Sequence, residues 1–295
     1  MSLETEALAP EIELSNFARA RRRLMSNPAA IIGIVIVISI VLAAILAPYI
    51  APYPNHAGSF VDFRHRHNAP SLEHLLGTDN VGRDMLSRIL FGYRVSLLLV
   101  VGVLGVAVPM GVLFGLLAGY FGGVVETAIM WLTNVMLAVP PLVMALAVAA
   151  VLSPDLINSM LAIAGLWWTW HTRLIYSITR QLRSQEFVEA AETLGASKFH
   201  ILFREILPNC VSALAVKTSL DCGFVILVGA SLSFLGLGIQ PPTPDLGTMV
   251  SQGSAFLPDY WWESVLPGFA ILFIALGFNL LGDGLRDLFD VQEVK

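Results

Sequence analysis

The segment EFVEAAETLGASKFHILFREILP, from Glu186 to Pro208, is a charged stretch between two long apolar ones. Its apolar residues follow a helical spacing up to Gly195, and glycine tolerates the left-handed backbone found at helix ends. Ser197 is placed to cap a second helix, which we expect Pro208 to end. The segment therefore predicts a soluble helix–turn–helix between membrane segments, an element suited to contact a soluble partner. The alternative is an ordinary interhelical loop.

The composition indicates a membrane protein with several spans. Of the 295 residues, 56% are hydrophobic and 13% are charged, and the mean hydropathy is +0.74. A soluble domain needs more charge on its surface. The net charge of −5 carries little information, because four of the acidic residues lie in the N-terminal tail, and the sequence has no basic face for a nucleic-acid partner. Cys210 and Cys222 form neither a disulfide framework nor a metal-binding spacing.

Six apolar stretches predict an all-α protein with six transmembrane helices. The first, preceded by arginines, is long enough to span a membrane and longer than the core of a signal peptide. Pro140 and Pro141 are expected to separate a short helix from the spanning part of the third stretch, or to kink it. The predicted parts are the tail 1–28, the spans 29–50, 95–119, 124–152, 156–176, 211–235 and 264–281, the loops 51–94, 186–208 and 236–263, and the tail 282–295.

The distribution of Lys and Arg predicts the orientation of the chain. The loops after the third and fifth spans contain neither residue, whereas the N-terminal tail and residues 186–208 contain several. Cytoplasmic loops are enriched in these residues, so we expect both termini and the loop 186–208 inside. The loop 51–94 carries several arginines and is an exception, although it is long enough to cross the membrane as a small folded unit.

Short motifs in the sequence resemble those of a known family. Glu189-Ala190-Ala191, Gly195 and Leu207-Pro208 resemble the EAA loop of ABC-importer permeases, with Glu205 in place of the usual Ile. Three further strings are similar to the dipeptide/oligopeptide/nickel branch of that family. They are LGTDNVGRDMLSRILFGYRVSL (76–97), ASLSFLGLGIQPPTPDLGTM (230–249) and FNLLGDGLRDLFD (278–290).

The resemblance implies a permease subunit of a bacterial ABC importer in the inner membrane, with its permease domain at about 93–284. It implies no cofactor of its own and a peptide cargo carried by ATP-driven alternating access; nickel, glutathione, opines and oligosaccharides are alternative cargoes. The implied partners are a homologous second permease subunit, two ATP-binding cassette subunits, an extracytoplasmic substrate-binding protein and membrane lipid. The coupling residues carried over to this chain are Glu189, Ala190, Ala191, Gly195, Leu207 and Pro208.

Three other groups of residues are candidates for a role in transport. Residues 83–90 have one apolar and one polar face, which predicts a short helix on the outer membrane interface. Lys217 and Asp221 are four residues apart in the fifth span and are expected to pair, either as a structural bridge or as part of the transport path. The loop 51–94 contains four histidines (His56, His65, His67 and His74), for which a solvated loop is favoured over a metal site. His171, next to several tryptophans, is interpreted as an interface anchor.

Motifs that are missing from the sequence restrict the function. There is no GxxxxGK[ST] phosphate loop, no HExxH and no GxSxG. The chain is therefore expected to be a non-catalytic permease that takes its energy from another subunit. The competing class is an ion-coupled secondary transporter, which would use charges along its membrane path and usually an internal repeat.

Overall fold

The computed structural model describes residues 27–289, and within that range the protein is helical. An isolated bridge between Thr78 and Asp84 is the one β-type pairing among these residues. The α-helices are α1 (Pro28–Ile50), α2 (Met85–Phe121), α3 (Gly123–Leu137), α4 (Pro141–Ala149), α5 (Leu156–Arg183), α6 (Glu186–Thr193), α7 (Lys198–Phe234), α8 (Leu246–Ser254) and α9 (Trp262–Phe289).

The packing of α2 against α5 forms the centre of the bundle. Gly111, Gly115 and Gly119 are spaced four residues apart, so they lie on one face of α2. A Cβ atom built on Gly115 would lie 2.6 Å from Cβ of Ile175 and 2.8 Å from the carbonyl oxygen of Thr172. Small residues allow helix backbones to approach closely in membranes. The two backbones are therefore closer together than they would be with any larger residue at these positions.

The first helix packs against the last one by the same means. A Cβ on Gly33 would lie 2.6 Å from the backbone nitrogen of Leu281, and one on Gly284 would lie 2.4 Å from Cβ of Ala30. The side chain of Asn27 caps α1 and also donates a 2.6 Å hydrogen bond to Asp287. This contact joins the start of α1 to the end of α9.

The third apolar stretch is broken at its proline pair. Helix α3 ends at Leu137, α4 begins at Pro141, and the two axes differ by 86°. Proline has no N–H to donate and restricts the residue before it, so a helix is interrupted there. The break lies inside a segment that the sequence assigns to a single span.

Four helices among the described residues are long and apolar enough to cross a membrane. They are α1, α2, α7 and α9, and α3 with α4 makes a fifth when the bent pair is taken as one span. The sequence predicts six, and the remaining segment is α5. Its polar side chains, including Thr169, His171, Thr172 and Thr179, are buried within the protein. The polar inward face lowers the mean hydropathy of α5, so the helix is not selected as a span by composition. Its polar side chains are buried in the protein and need not contact lipid.

Two expected helix boundaries are wrong. No separate interfacial helix exists at 83–90, because α2 begins at Met85 and continues without a break to Phe121. Its first turns are covered by protein: Met85 and Ile89 are buried in a cluster that includes Leu246 and Trp262. The amphipathic pattern therefore reflects packing against the loops at that end of the bundle.

Pro208 does not end the second helix of the 186–208 segment, because α7 continues through it from Lys198 to Phe234. A π-helical stretch, Ile201–Ile206, precedes the proline, and the N–H of Leu207 donates to the carbonyl of Leu202, five residues back. This shift lets Pro208 sit at the start of a new α-helical segment, where no N–H is required.

We expect Gly115→Leu to destabilise the bundle, because its side chain would force α2 away from α5. Overpacking of this kind costs about 1–3 kcal/mol or more. The yield of monodisperse protein in detergent and its thermal midpoint measure the effect. Gly105→Leu is the matched control, since a Cβ on Gly105 of the same helix meets nothing within 4 Å. Equal losses for both variants would contradict the close-packing interpretation.

Candidate functional site

The coupling hairpin, residues 186–208, is closed by a glycine turn. Gly195 has φ +80°, a conformation that glycine adopts without steric cost. The following N–H, of Ala196, donates to the carbonyl of Ala191 at 3.0 Å, which closes the end of α6. The hydroxyl of Ser197 accepts the N–H three residues on at 3.2 Å and caps α7. The turn and the cap that the sequence predicts are therefore both present.

The inner face of the coupling hairpin is anchored in the bundle. Tyr120, near the end of α2, donates a 2.8 Å hydrogen bond from its hydroxyl to the carboxylate of Glu192 on α6. An apolar cluster joins α2, α5, α6 and α7 at this end, which we call the coupling end. Its buried members are Leu116, Tyr120, Ile175, Val188, Ile201, Leu202, Ile206 and Cys210. The hairpin therefore packs directly against three long helices.

The outer face of the coupling hairpin is apolar and has no partner among the described residues. Leu194 is 87% exposed and Phe199 is 71% exposed, and Phe187 and Phe203 are also exposed. Large apolar side chains at the tip of a charged loop are typical of a protein–protein contact. Together with Glu189, Ala190 and Gly195, they form a surface that we call the coupling surface.

The structure distributes the predicted coupling residues between the two faces. Glu189, Ala190 and Gly195 are exposed and belong to the coupling surface. Ala191 is half-buried and packs against the apolar cluster. Leu207 is also half-buried and Pro208 is exposed, but both lie on α7 after the π-helical stretch. The motif therefore combines residues available for docking with residues that hold the hairpin in place.

Lys217 and Asp221 pair on α7 as predicted, and a third residue joins them. The ammonium of Lys217 contacts Oδ1 of Asp221, and Nε2 of His171 on α5 lies 3.3 Å from Oδ2 of the same carboxylate. His171 is fully buried and Asp221 is 1% exposed. The carboxylate therefore lies where α5 meets α7, although neither Nε2 of His171 nor Oδ2 of Asp221 makes a hydrogen bond within the described part of the chain.

The interpretation of His171 as an interface anchor is wrong. Its side chain faces the interior of the bundle, and its Nδ1 lies 3.3 Å from the carbonyl of Trp167 in the preceding turn. The neighbouring tryptophans, Trp167 and Trp168, are also buried. The sequence contains no local signal for this contact, because His171 and Asp221 are fifty positions apart. The four-residue glycine spacing in α2 was the one available signal for the close α2–α5 packing.

A polar cluster organises the opposite end of the bundle. Asp79 forms a 2.7 Å ion pair with Nε of Arg83, and Arg88, also buried, lies 3.7 Å away. The carboxylate of Asp84 caps α2 through the backbone N–H and the hydroxyl of Ser87. The indole N–H of Trp262 donates to the carbonyl of Thr78 at 3.2 Å. The string 76–97 therefore joins the first loop to α2 and α9.

Three of the four loop histidines are not solvated, contrary to expectation. His74 lies 3.0 Å from Asp84, and His67 lies 2.6 Å from Glu263. Burial lowers the pKa of His56, which keeps its Nδ1 free to accept the N–H of Asp84 at 2.9 Å. Only His65 is as exposed as predicted. Across residues 27–289, no group of three or more His, Cys, Asp or Glu side chains is placed to hold a metal ion.

Comparison with known families identifies the architecture. Residues 111–292 match the family described as binding-protein-dependent transport system inner membrane component. The chain belongs to this family. Residues 15–70 also match the N-terminal transmembrane domain of oligopeptide transport permease C. The family resemblance drawn from the short motifs is thus confirmed, and the permease is a multi-pass protein of the inner membrane.

Individual relatives align with nearly the whole permease. The probable D,D-dipeptide transport system permease protein DdpC of Escherichia coli strain K12 is 40% identical over 291 residues, which cover 98% of this chain and 97% of the relative. The dipeptide transport system permease protein DppC of Alkalihalophilus pseudofirmus is 37% identical over 295 residues, which cover 98% of this chain and 95% of the relative. The glutathione transport system permease protein GsiD of Pectobacterium atrosepticum is 40% identical over 239 residues, which cover 80% of this chain and 79% of the relative.

We expect Asp221→Asn to destabilise the permease, because it leaves the Lys217 ammonium without its carboxylate and weakens the α5–α7 contact. Breaking a buried ion pair costs about 3–5 kcal/mol of stability. Because Lys217 is partly exposed, we expect a loss near the lower limit of this range. The double variant Lys217→Met/Asp221→Leu should recover part of the loss. Thermal midpoints in detergent measure both, with Asp259→Asn in an exposed loop as control. Equal midpoints for Asp221→Asn and wild type would contradict a structural bridge.

Proposed function

We propose that this chain is one of two permease subunits in a peptide importer driven by ATP hydrolysis on partner subunits. The observation that carries the proposal is the coupling surface: an exposed apolar and small-residue face on a hairpin that is anchored in three long helices. The sequence contains no phosphate loop of its own, so a surface built to receive motion from a soluble partner accounts for the energy source. The family match supports the same conclusion.

The proposed partners follow from this role. Two ATP-binding cassette subunits would dock on the coupling surfaces of this chain and of a homologous second permease. An extracytoplasmic binding protein would deliver the cargo to the opposite end of the bundle. The peptide cargo rests on relatives named as dipeptide and peptide permeases. Among the alternative cargoes, glutathione is favoured over nickel, because one relative is named as a glutathione permease. Glutathione is itself a small peptide-like molecule.

The proposed mechanism is alternating access, in which the two ends of the bundle open in turn. Closure of the ATPase pair would push on α6, and the bond between Tyr120 and Glu192 would pass that motion to α2. Helix α7 starts in the hairpin itself and would move with it. The His171–Asp221 contact would keep α5 and α7 together during this movement. The proposed part played by Lys217 and Asp221 is therefore a structural bridge.

Six spans with both termini inside form the topology that we propose. Helix α5 has 28 residues, about 42 Å at 1.5 Å per residue, which is sufficient to cross the apolar layer. Its buried polar face explains why composition alone does not select it. With α3 and α4 as one broken span, the segments α1, α2, α3–α4, α5, α7 and α9 cross the membrane alternately.

Cysteine accessibility tests the topology. Ser71 lies in the first loop, Ser197 lies in the coupling hairpin, and both are exposed. We expect a membrane-impermeant thiol reagent to label Ser71→Cys only from outside and Ser197→Cys only from inside, since the two positions lie at opposite ends of the bundle. A variant without added cysteine gives the background from Cys210 and Cys222. Labelling of both introduced cysteines from the same side would refute the six-span topology.

A pair of substitutions at Gly195 tests the coupling surface. A Cβ at this position meets nothing within 4 Å, so the obstacle is the backbone φ alone. We expect Gly195→Val to distort the turn at a cost of about 1–3 kcal/mol, whereas Gly195→Asn, which tolerates this conformation, costs less. Gly195→Val should therefore lose ATPase co-purification and substrate-stimulated hydrolysis, and Gly195→Asn should largely retain both.

The readouts are the amount of permease in the membrane, the ratio of co-purified ATPase subunits and the rate of peptide uptake. Glu189→Lys should weaken coupling more than Glu189→Gln, since a reversed charge adds repulsion to a lost contact. Normal ATPase binding and uptake by the Gly195→Val variant would mean that the hairpin is a passive connector.

A further inference from the structure

Arg173 is an exposed cation on α5 without an acidic partner among the described residues. Its Nη2 donates a 2.5 Å hydrogen bond to the amide oxygen of Asn134 on α3, a neutral group. Some cations of the bundle are paired with carboxylates: Lys217 contacts Asp221, and Arg180 lies 2.7 Å from Glu126. Within residues 27–289, no carboxylate lies within 4 Å of the Arg173 guanidinium. This side chain therefore holds an uncompensated positive charge in a defined position.

The position of Arg173 along the helices places it within the apolar layer. In the proposed six-span topology, we take the Glu126–Arg180 ion pair, in the first turn of α3, as the polar boundary near the coupling end. Arg173 is seven residues further along α5, about 10 Å, and Asn134 is eight residues further along α3, about 12 Å. Both distances place the Arg173–Asn134 contact well inside a layer about 30 Å thick. An exposed charge at such a depth faces water or a polar group rather than lipid.

The break between α3 and α4 lies beside this contact. Ala138–Pro140 are not helical, and Ala138 and Pro140 are exposed. Irregular backbone at membrane depth occurs where it is buried in protein or lines a water-filled cavity. No side chain caps the N-terminus of α4 at Pro140, so its free N–H groups add the positive end of a helix dipole. The bent backbone and the exposed charge of Arg173 are the two observations that support an aqueous path here.

We propose that Arg173, oriented by Asn134, binds the terminal carboxylate of the peptide during its passage across the membrane. The inference rests on the proposed function of peptide import. A guanidinium presents five N–H donors in a planar fork that matches a carboxylate in a two-bond geometry. Asn134 uses one of these donors and fixes the plane of the fork, and the others remain for the cargo. Binding is transient, because water reaches the site and competes with the carboxylate for the guanidinium.

Transport of matched peptides by the complete importer in liposomes tests this site. The cargoes are a dipeptide with a free carboxylate and its C-terminal amide, both delivered at saturating binding protein. We expect Arg173→Gln to lower the maximal rate for the free acid about tenfold, as for a lost charged hydrogen bond, and to leave the amide within about twofold. Arg173→Lys should recover part of the rate. The matched control is Arg94→Gln, which changes an exposed arginine near the N-terminal end of α2, far from Arg173.

The outcomes separate this site from the function on which it rests. Failure of the wild-type importer to transport any peptide would overturn the peptide assignment and this site with it. Normal peptide transport by both the wild type and Arg173→Gln would overturn the site alone. Equal losses for acid and amide, with weaker assembly of the two permeases, would overturn it in favour of a carboxylate on the partner permease.

A labelling experiment tests the same site without the binding protein. Ser177 is exposed one turn from Arg173 on the same face of α5. In everted vesicles we expect Ser177→Cys to react faster with an anionic than with a cationic thiosulfonate reagent. Adding Arg173→Gln should reduce the ratio of the two rates by about threefold or more, because one charge about 6 Å away is removed. Absence of reaction with both reagents, with and without ATP, or an unchanged ratio would overturn the proposal.

Discussion

The contact between the glycine face of α2 and helix α5 is the constraint on which the arrangement of the bundle depends. With Gly111, Gly115 and Gly119 against α5, the two backbones approach closely, and the polar inward face of α5 is covered. That covering lets a helix with several polar side chains occupy the membrane. It also holds His171 where the carboxylate of Asp221 on α7 can reach it. The contacts of α5 with its neighbours follow from this approach.

The two ends of the bundle are organised by different chemistry. At the coupling end, an apolar cluster beneath the hairpin leaves a second apolar face exposed, which is the arrangement expected of a surface that binds and releases a partner. At the opposite end, buried ion pairs and capping side chains around Asp79 and Asp84 join the first loop to α2, with little left unpaired. The coupling end therefore exposes an apolar face, whereas directional polar contacts hold the first loop in place at the opposite end.

Features determined by neighbouring residues could be predicted from the sequence, and features determined by distant ones could not. The turn at Gly195, the cap at Ser197 and the break at Pro140 follow from local backbone preferences, and the structure has all three. The pairing of Lys217 with Asp221 follows from their spacing on one helix. The burial of His56 and His74, the pairing of His67 with Glu263 and the proximity of His171 to Asp221 depend on residues far apart in the chain. The exposure of Arg173 also depends on such contacts. The apolar stretch 156–176 predicts the span that α5 contains, although the hydropathy of the whole helix is too low to select it. Hydropathy cannot distinguish polar groups that face protein from those that face lipid.

The continuity of α7 through Pro208 has a mechanical consequence. From Lys198 to Phe234 it contains 37 residues, which corresponds to a rod about 55 Å long. Because the π-helical stretch continues the helix through Pro208, a push on the hairpin would be passed along the whole rod. A rotation of about 5° about its lower end would displace its upper end by about 5 Å. Helix α7 would thus act as a lever that enlarges a small stroke of the ATPase subunits at the far side of the membrane.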